Sequence, residues 1–114
     1  MKISRKLAGI FVAVAMALAC STSIAGGDAA NGETLAVTCS GCHAADGNST
    51  IGTNPILAGQ YESYLIRALT DYRSGDRESS IMSGFSAGLS DQDIRDLAAW
   101  FSSQKSDLKV LEKN

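Results

Sequence analysis

Apolar residues recur at helical spacing in two segments of the second half of the chain. In the first segment they follow the i, i+3, i+4, i+7, i+8 and i+11 spacing of a helix with one buried face. The apolar positions are Tyr61, Tyr64, Leu65, Ala68, Leu69 and Tyr72. Gly75 is predicted to end this helix, because glycine readily adopts the left-handed conformation that terminates helices.

The second periodic segment follows a helix-start signal. Ser90 is a good N-cap, and Asp91 and Asp93 fall in the first turn, where the helix dipole favours negative charge. The apolar positions after it are Ile94, Leu97, Ala98 and Phe101. A weaker third helix is predicted earlier in the chain, from about Asp28 to Thr38.

Two long loops separate these helices, and no segment has a convincing strand pattern. The loops are predicted at 44–60, which contains the only proline, and at 76–89. Loops of this length are uncommon in a small domain unless they have a function, and wrapping a flat cofactor would account for both. The pattern therefore predicts an all-α fold of three main helices and long loops. The end of the chain, 105–114, is predicted to be frayed and solvated.

The beginning of the chain is interpreted as a secretory signal peptide. A positively charged start is followed, over 7–20, by an uninterrupted run of apolar and small residues, and 23–25 supplies small residues suited to cleavage. The apolar run is shorter than the roughly 20 residues that span a bilayer, so a membrane anchor is the weaker alternative. Lipidation at Cys20 is another alternative. We therefore expect a signal peptide at 1–25 and one domain at 26–114.

Cleavage after residue 25 would change both the charge and the inventory of reactive side chains. It removes Lys2, Arg5 and Lys6 but no acidic residue, so 7 basic residues face 12 acidic ones and the formal net charge becomes −5. Nucleic acid and anionic membranes are poor partners for such a chain. The only cysteines, histidine and methionine that remain are Cys39, Cys42, His43 and Met82. Domains this small often depend on a disulfide, a metal or a cofactor for stability.

The segment CSGCH at 39–43 contains both of these cysteines and the histidine. A structural zinc site would need four Cys or His ligands, usually in two separated pairs. A redox-active pair is expected beside a βαβ pattern, which this sequence lacks. A disulfide between Cys39 and Cys42 stays open in an oxidising compartment, although it leaves His43 unexplained. CxxCH in an exported chain favours c-type haem attachment, with two thioethers and an iron-ligating histidine.

A second iron ligand is available in Met82. Ligation of haem iron by His and Met is the arrangement found in cytochromes c, and Met82 lies 39 residues after His43 in the polar stretch SSIMSGFSAGLS. A lone methionine often fills a gap in a core. This one is predicted on a loop between two amphipathic segments, and that position favours axial ligation.

The order of the motifs resembles class I c-type cytochromes, close to the small monohaem periplasmic cytochromes of the bacterial c-553 kind. The motifs are CSGCH, NPILAGQ, YLIRALTDYRSGDR, Met82 and LSDQDIRDLAAWFSSQ, over roughly 27–104. The resemblance implies a cytochrome c fold around one covalently bound haem c, with thioethers at Cys39 and Cys42. It implies that His43 is the proximal ligand and Met82 the distal one. The carbonyl of Pro55 is expected to accept a hydrogen bond from the proximal imidazole, fixing its tautomer.

The resemblance also assigns supporting roles. Gly32 and Trp100 match the small residue and the aromatic residue where the first and last helices of the family cross. Arg77 is expected either to pair with a haem propionate or to be a solvated surface arginine. The family often has glycine directly after the histidine, where this chain has Ala44. Packing in the core or against the haem is expected of three tyrosines, Tyr61, Tyr64 and Tyr72.

These assignments imply an electron carrier and no enzyme. An iron with two protein ligands has no open position for a substrate, and the single histidine is not free to act as a base. We expect a periplasmic, monomeric one-electron carrier without stable membrane insertion, whose acidic surface steers transient docking to redox proteins. The alternatives are a haem-bearing subunit of a larger dehydrogenase or oxidase, and a gas sensor or peroxidase-like enzyme in which Met82 dissociates.

Overall fold

Residues 26–108, the part of the chain that the computed structural model describes, form five helices and no strand. The helices are α1 (Ala29–Ala36), α2 (Ser40–His43), α3 (Glu62–Ser74), α4 (Ser80–Ser86) and α5 (Asp91–Ser103). The all-α prediction is confirmed, with α1, α3 and α5 as the three main helices. None of the helices within 26–108 is long and apolar enough to cross a membrane. The signal peptide predicted at 1–25 lies outside the described residues.

The helix boundaries follow the local signals in the sequence. Gly75 ends α3 in the left-handed conformation with φ of 89°, and its N–H donates to the carbonyl of Asp71 over 2.9 Å. At the start of α5, the Ser90 hydroxyl accepts from the Asp93 N–H over 3.0 Å. The Asp93 carboxylate accepts from the Ser90 N–H over 2.8 Å, which completes a capping box. Both predicted boundaries are therefore confirmed.

The prediction that 76–89 is entirely a loop is wrong, because α4 lies within it. Ser79 caps this helix, and its hydroxyl accepts from the N–H of Met82 over 3.2 Å. Met82 therefore lies on a helix and not on a loop. With seven residues, α4 is too short for a helical period to be recognised in the sequence. The other predicted loop, 44–60, contains no helix or strand.

The first and last helices cross where a side chain would not fit. A Cβ atom built on Gly32 of α1 would lie 2.0 Å from the carbonyl oxygen of Asp96 and 2.9 Å from the Cβ of Trp100, both on α5. The glycine therefore allows the two backbones to approach closely. The Trp100 indole N–H donates to the carbonyl of Ala45 over 3.2 Å, which ties α5 to the loop after α2. The crossing expected from the family resemblance is present.

The core lies between α1, α3 and α5. Its buried cluster consists of Ala36, Leu65, Leu97, Ala98 and Phe101. The predicted apolar face of α5 is buried throughout, whereas Leu65 is the only buried residue of α3. Tyr61 is 80 % exposed, so the prediction that it packs inside is wrong; it precedes the first residue of α3. The rest of the α3 face borders a cavity, described below.

The chain after α5 is fastened to the long loop 44–60 before it leaves the described residues. The side-chain amide of Asn48 donates to the carbonyl of Lys105 over 2.9 Å, and its oxygen accepts from the N–H of Asp107 over 2.8 Å. The prediction that 105–114 is frayed is therefore wrong for 105–107. Residues 109–114 of that segment are outside the described residues.

A buried carboxylate joins α5 to the start of α1. Asp96 is 2 % exposed and accepts hydrogen bonds of 2.7 Å each from the Asp28 N–H, the Asn31 amide and the Gln92 amide. The hydrogen bond from the Asp28 backbone, followed by that from the Asn31 side chain, holds the pKa of Asp96 below its ordinary value. The carboxylate is therefore stabilised in its charged form by the fold.

We expect Asp96→Asn to lower the free energy of unfolding at pH 7 by about 1–3 kcal/mol, because an amide cannot accept all three hydrogen bonds. The pKa of Asp96 is lower in the folded than in the unfolded chain. Its contribution is therefore complete above the unfolded-state pKa and is lost as the pH falls through the folded-state pKa. Denaturant unfolding at several pH values measures the difference between wild type and variant, which should shrink in acid. Asp107→Asn, at an exposed position, is the control. A difference that persists unchanged in acid contradicts this account.

Candidate cofactor site

One cavity of about 390 Å³ brings together the residues that the sequence singled out. It opens between α2, α3, α4, α5 and the loop before α3. The predicted attachment and ligand residues that line it are Cys39, Cys42, His43, Pro55 and Met82. Its walls are mainly apolar side chains from the predicted faces of α3 and α5, among them Leu65, Ala68, Leu69, Leu97, Ala98 and Phe101. The cavity volume and the few polar groups are typical of sites that enclose a small molecule or a cofactor.

The short helix α2 presents the two thiols and the imidazole to this cavity. The N–H groups of Cys42 and His43 both donate to the carbonyl of Cys39, over 3.2 and 3.0 Å. One helical turn thus spaces the two cysteines and places His43 directly after them. Cys39 and Cys42 are free thiols and are not bonded to each other. Burial, with a smaller contribution from Cys42, raises the pKa of the Cys39 thiol.

Ala44 ends α2 in a conformation that normally requires glycine. Its φ is 64° and its ψ is 163°, a region that is essentially restricted to glycine and costs about 1–3 kcal/mol for other residues. This is the position where the family often has glycine. The turn after His43 is therefore formed in spite of the substitution, at the expense of local strain.

His43 has its orientation fixed by the backbone of the following loop. The imidazole is buried, with 7 % exposure, and its Nδ1 lies 2.9 Å from the carbonyl oxygen of Pro55. Because a carbonyl oxygen only accepts, Nδ1 carries the hydrogen, and in the neutral tautomer Nε2 then holds the lone pair. A neutral imidazole with a free Nε2 lone pair is the form that binds a metal ion.

Two polar side chains of the loop hold it against α2, and sequence reasoning missed both. The Asn54 amide and the Ser49 hydroxyl donate to the carbonyl of Cys42 over 3.0 and 3.1 Å. Asn54 directly precedes Pro55, so this contact also sets the position of the Pro55 carbonyl. Serine and asparagine are ordinary in loops, and no pattern in the sequence distinguishes these two from their neighbours.

Met82 lines the same cavity as His43 but belongs to a different element, α4. It is partly buried on α4 and also borders a second, smaller cavity of about 110 Å³ on the side of Leu35 and Ser86. A thioether sulfur and an imidazole nitrogen in one apolar cavity are the two donors with which a haem iron is held in cytochromes c. The donor set of the cavity therefore fits a haem.

Arg77 is placed at the edge of the same cavity by two tyrosines. Its guanidinium carbon lies 4.7 Å from the centre of the Tyr72 ring, and one of its N–H groups donates to the Tyr64 hydroxyl over 3.2 Å. Arg77, Tyr64 and Tyr72 all line the cavity. The arginine is thus exposed but held by specific contacts, in a position where it can pair with an acidic group of a bound molecule.

An all-helical fold around an apolar cavity with a CxxCH segment at its wall defines the class of c-type cytochromes. The cytochrome c family model matches residues 29–105, and the chain belongs to this family. Membership indicates covalently bound haem c as the cofactor. The finer resemblance to the c-553 kind stays a prediction.

The relatives include proteins both longer than this chain and of similar length. Cytochrome c4 of Pseudomonas aeruginosa is 46% identical over 90 residues, which are 79% of this chain and 45% of the relative. Cytochrome c-554(548) of Halomonas halodenitrificans is 43% identical over 82 residues, 69% of this chain and 99% of the relative. The cytochrome subunit of sulfide dehydrogenase of Chlorobaculum tepidum is 36% identical over 70 residues, 61% of this chain and 63% of that subunit.

The fold agrees with a solved relative. The crystal structure of reduced recombinant cytochrome c4 from Pseudomonas stutzeri matches with a TM-score of 0.69 and 42% identity, over 72% of this chain and 48% of that one. The chain thus spans about half the length of the cytochromes c4 that it matches. The cytochrome c fold predicted from the sequence is confirmed.

Proposed function

We propose that this chain is a periplasmic one-electron carrier in which His43 and Met82 ligate the iron of one haem c from opposite sides. Cys39 and Cys42 hold the porphyrin through thioethers, and Pro55 orients His43. The observation that carries the proposal is the convergence of all five residues on one apolar cavity. Bound there, haem c supplies exchange of one electron between ferric and ferrous iron.

The protein's own groups each have a defined part in this function. The Pro55 carbonyl keeps the hydrogen on Nδ1 of His43, so that Nε2 is available to the iron and is more basic. The thioether of Met82 is a soft ligand that favours the ferrous state and so raises the reduction potential. The mainly apolar walls of the cavity would disfavour the more highly charged ferric state. If His43 and Met82 both held the iron, no coordination position would be open to a substrate, and we propose no enzymatic role.

The acidic surface of the domain gives the carrier a preference among partners. The proposed mature chain, 26–114, has a formal net charge of −5, which attracts a basic docking face and repels an acidic one. Docking of this kind is transient and agrees with the proposed role of a monomeric shuttle.

We expect electron exchange to depend on salt with a sign set by the charge of the oxidant. Oxidation of the reduced protein by a cationic cobalt(III) phenanthroline complex should slow by about an order of magnitude between low and physiological salt, because screening removes the attraction. Oxidation by ferricyanide, the anionic control, should become faster. Stopped-flow measurement at several ionic strengths tests this expectation. Rates that do not respond to salt with either oxidant exclude electrostatic docking.

A second candidate function is that of a permanent electron-transfer subunit in a larger dehydrogenase or oxidase. The observation that favours it is the similarity to the cytochrome subunit of sulfide dehydrogenase. Purification of the protein from a soluble extract of the cells that produce it naturally distinguishes the two candidate functions. A free carrier elutes as a monomer, whereas a subunit is recovered with another protein at fixed stoichiometry.

A further inference from the structure

The peptide groups of Met82 are held by serine hydroxyls at both ends of α4. The Ser79 hydroxyl accepts from the Met82 N–H over 3.2 Å, and the Ser86 hydroxyl donates to the Met82 carbonyl over 2.5 Å. Ser79 is the N-cap of the helix and has an ordinary role in starting it. Ser86, at the last helical position, is fully buried with 0 % exposure.

A buried hydroxyl at this position requires an explanation. Alanine has the higher helix propensity and would leave no polar group to satisfy. Without its partner, the Ser86 hydroxyl would be an unsatisfied polar group inside the protein, which is costly. Its partner is the carbonyl of Met82, the residue proposed as iron ligand. The hydrogen bond therefore couples the buried end of α4 directly to the ligand's backbone.

Ser86 is in turn connected to the larger helices. Its carbonyl accepts from the Leu89 N–H over 3.1 Å, and the Leu89 carbonyl accepts from the Arg73 guanidinium of α3 over 2.8 Å. Arg73 also forms an ion pair with Asp91, the first residue of α5. A continuous series of hydrogen bonds thus runs from Met82 through Ser86 to α3 and α5.

This connection matters because α4 is a weak element by itself. A helix of seven residues is not stable in isolation and depends on tertiary contacts for its position. The position of the Met82 sulfur therefore depends on the contacts that hold α4 against the rest of the protein.

We propose that Ser86 is a positioning residue for Met82, whose buried hydroxyl fixes the α4 backbone so that the thioether stays in the cavity opposite His43. The inference rests on the proposed ligation by Met82. A movement of α4 would carry the thioether away from the iron, and the Ser86 hydrogen bond opposes that movement.

The test compares variants of the haem-loaded protein that differ in the hydroxyl but not in shape. Ser86→Thr keeps the hydroxyl and Ser86→Val replaces it by a methyl of the same size, while the adjoining cavity of about 110 Å³ leaves room for the added methyl in both. Ser86→Ala removes the hydroxyl without adding volume. Ser80→Ala, at the exposed first position of the same helix, is the control.

Three quantities are measured for each variant. The first is the affinity of the ferric protein for imidazole, a ligand that displaces the methionine from the iron. The others are the intensity of the near-infrared sulfur-to-iron band and the midpoint potential. Loss of one hydrogen bond should increase the apparent imidazole affinity about fivefold in Ser86→Ala and Ser86→Val. The sulfur-to-iron band should weaken in parallel and the potential should fall. Ser86→Thr and Ser80→Ala should behave as wild type.

Two results overturn the inference while leaving Met82 ligation intact. One is wild-type imidazole affinity in both Ser86→Ala and Ser86→Val. The other is equal behaviour of Ser86→Thr and Ser86→Val, which would assign the effect to packing and not to the hydroxyl. A wild-type protein that lacks the sulfur-to-iron band contradicts the proposed ligation itself, and the inference falls with it. The wild-type spectrum therefore distinguishes the two failures.

Discussion

Met82→Ala should lower the midpoint potential by on the order of 0.1 V or more, within the range of about 0.8 V over which axial ligands set haem potentials. Removal of the thioether takes away the ligand that favours the ferrous state. It also leaves one side of the iron without a protein ligand. The reduced variant should therefore bind carbon monoxide promptly, whereas the reduced wild type should not. Redox titration and optical spectra with and without carbon monoxide measure both effects.

Met82→Leu separates ligation from packing in this experiment. Leucine retains most of the apolar volume beside Ser86 and Leu35 but has no sulfur. If Met82 acts as a ligand, the leucine and alanine variants should show the same fall in potential and the same access for carbon monoxide. A wild-type potential in either variant would mean that Met82 only fills space.

Gly32→Ala should destabilise the fold by about 2 kcal/mol or more, even though alanine favours a helix. The gain in helix propensity on replacing glycine is about 1 kcal/mol. This gain is opposed by a steric clash, because the added Cβ atom would lie only 2.0 Å from the Asp96 carbonyl oxygen. Because that oxygen belongs to the α5 backbone, the clash can be relieved only by moving the two helices apart, which disturbs the core. Denaturant unfolding of the haem-loaded protein measures the change.

Gly52→Ala is the matched control for this steric argument. The added methyl at Gly52 meets nothing within 4 Å, and the position needs no left-handed backbone. It should leave the free energy of unfolding nearly unchanged. Wild-type stability of Gly32→Ala would show that α1 and α5 are not in close contact at this crossing.

Helices α3 and α5 were predictable because each has both a period and a boundary signal. The apolar series of α5 is buried as the spacing indicates, and Ser90 and Gly75 act at the helix ends as expected. The predictions that were wrong concern features that the local sequence pattern does not encode. Helix α4 has two turns, too few for a period to be recognised, and is stabilised by Ser79 and Ser86, which look like ordinary loop residues.

The residues proposed to hold the cofactor were predictable because each is chemically rare in this chain. One histidine and one methionine in the proposed mature chain, with two cysteines beside the histidine, leave few choices. The residues that support them are common polar types. The contacts of Asn54 and Ser49 with the Cys42 carbonyl, and of Asn48 with the chain after α5, join positions far apart in sequence. Such pairings depend on the tertiary path of the loops, and spacing along the chain does not reveal them.

Ala44 is a residue whose backbone conformation runs against its own local preference. The sequence identifies the absence of a glycine after His43, and the structure gives its consequence, a backbone φ of 64° on a residue with a side chain. The turn is retained because the contacts of the following loop with α2 and the His43–Pro55 hydrogen bond hold it in place. The contacts of the site thus hold Ala44 in a backbone conformation that a residue with a side chain rarely adopts.

The most direct measurement of the central claim is a near-infrared spectrum of the ferric, haem-loaded protein. If His43 and Met82 hold the iron from opposite sides, the weak sulfur-to-iron band is present together with low-spin visible bands, and it disappears in Met82→Ala. A ferric protein without that band, or with a band that survives in Met82→Ala, would contradict the account.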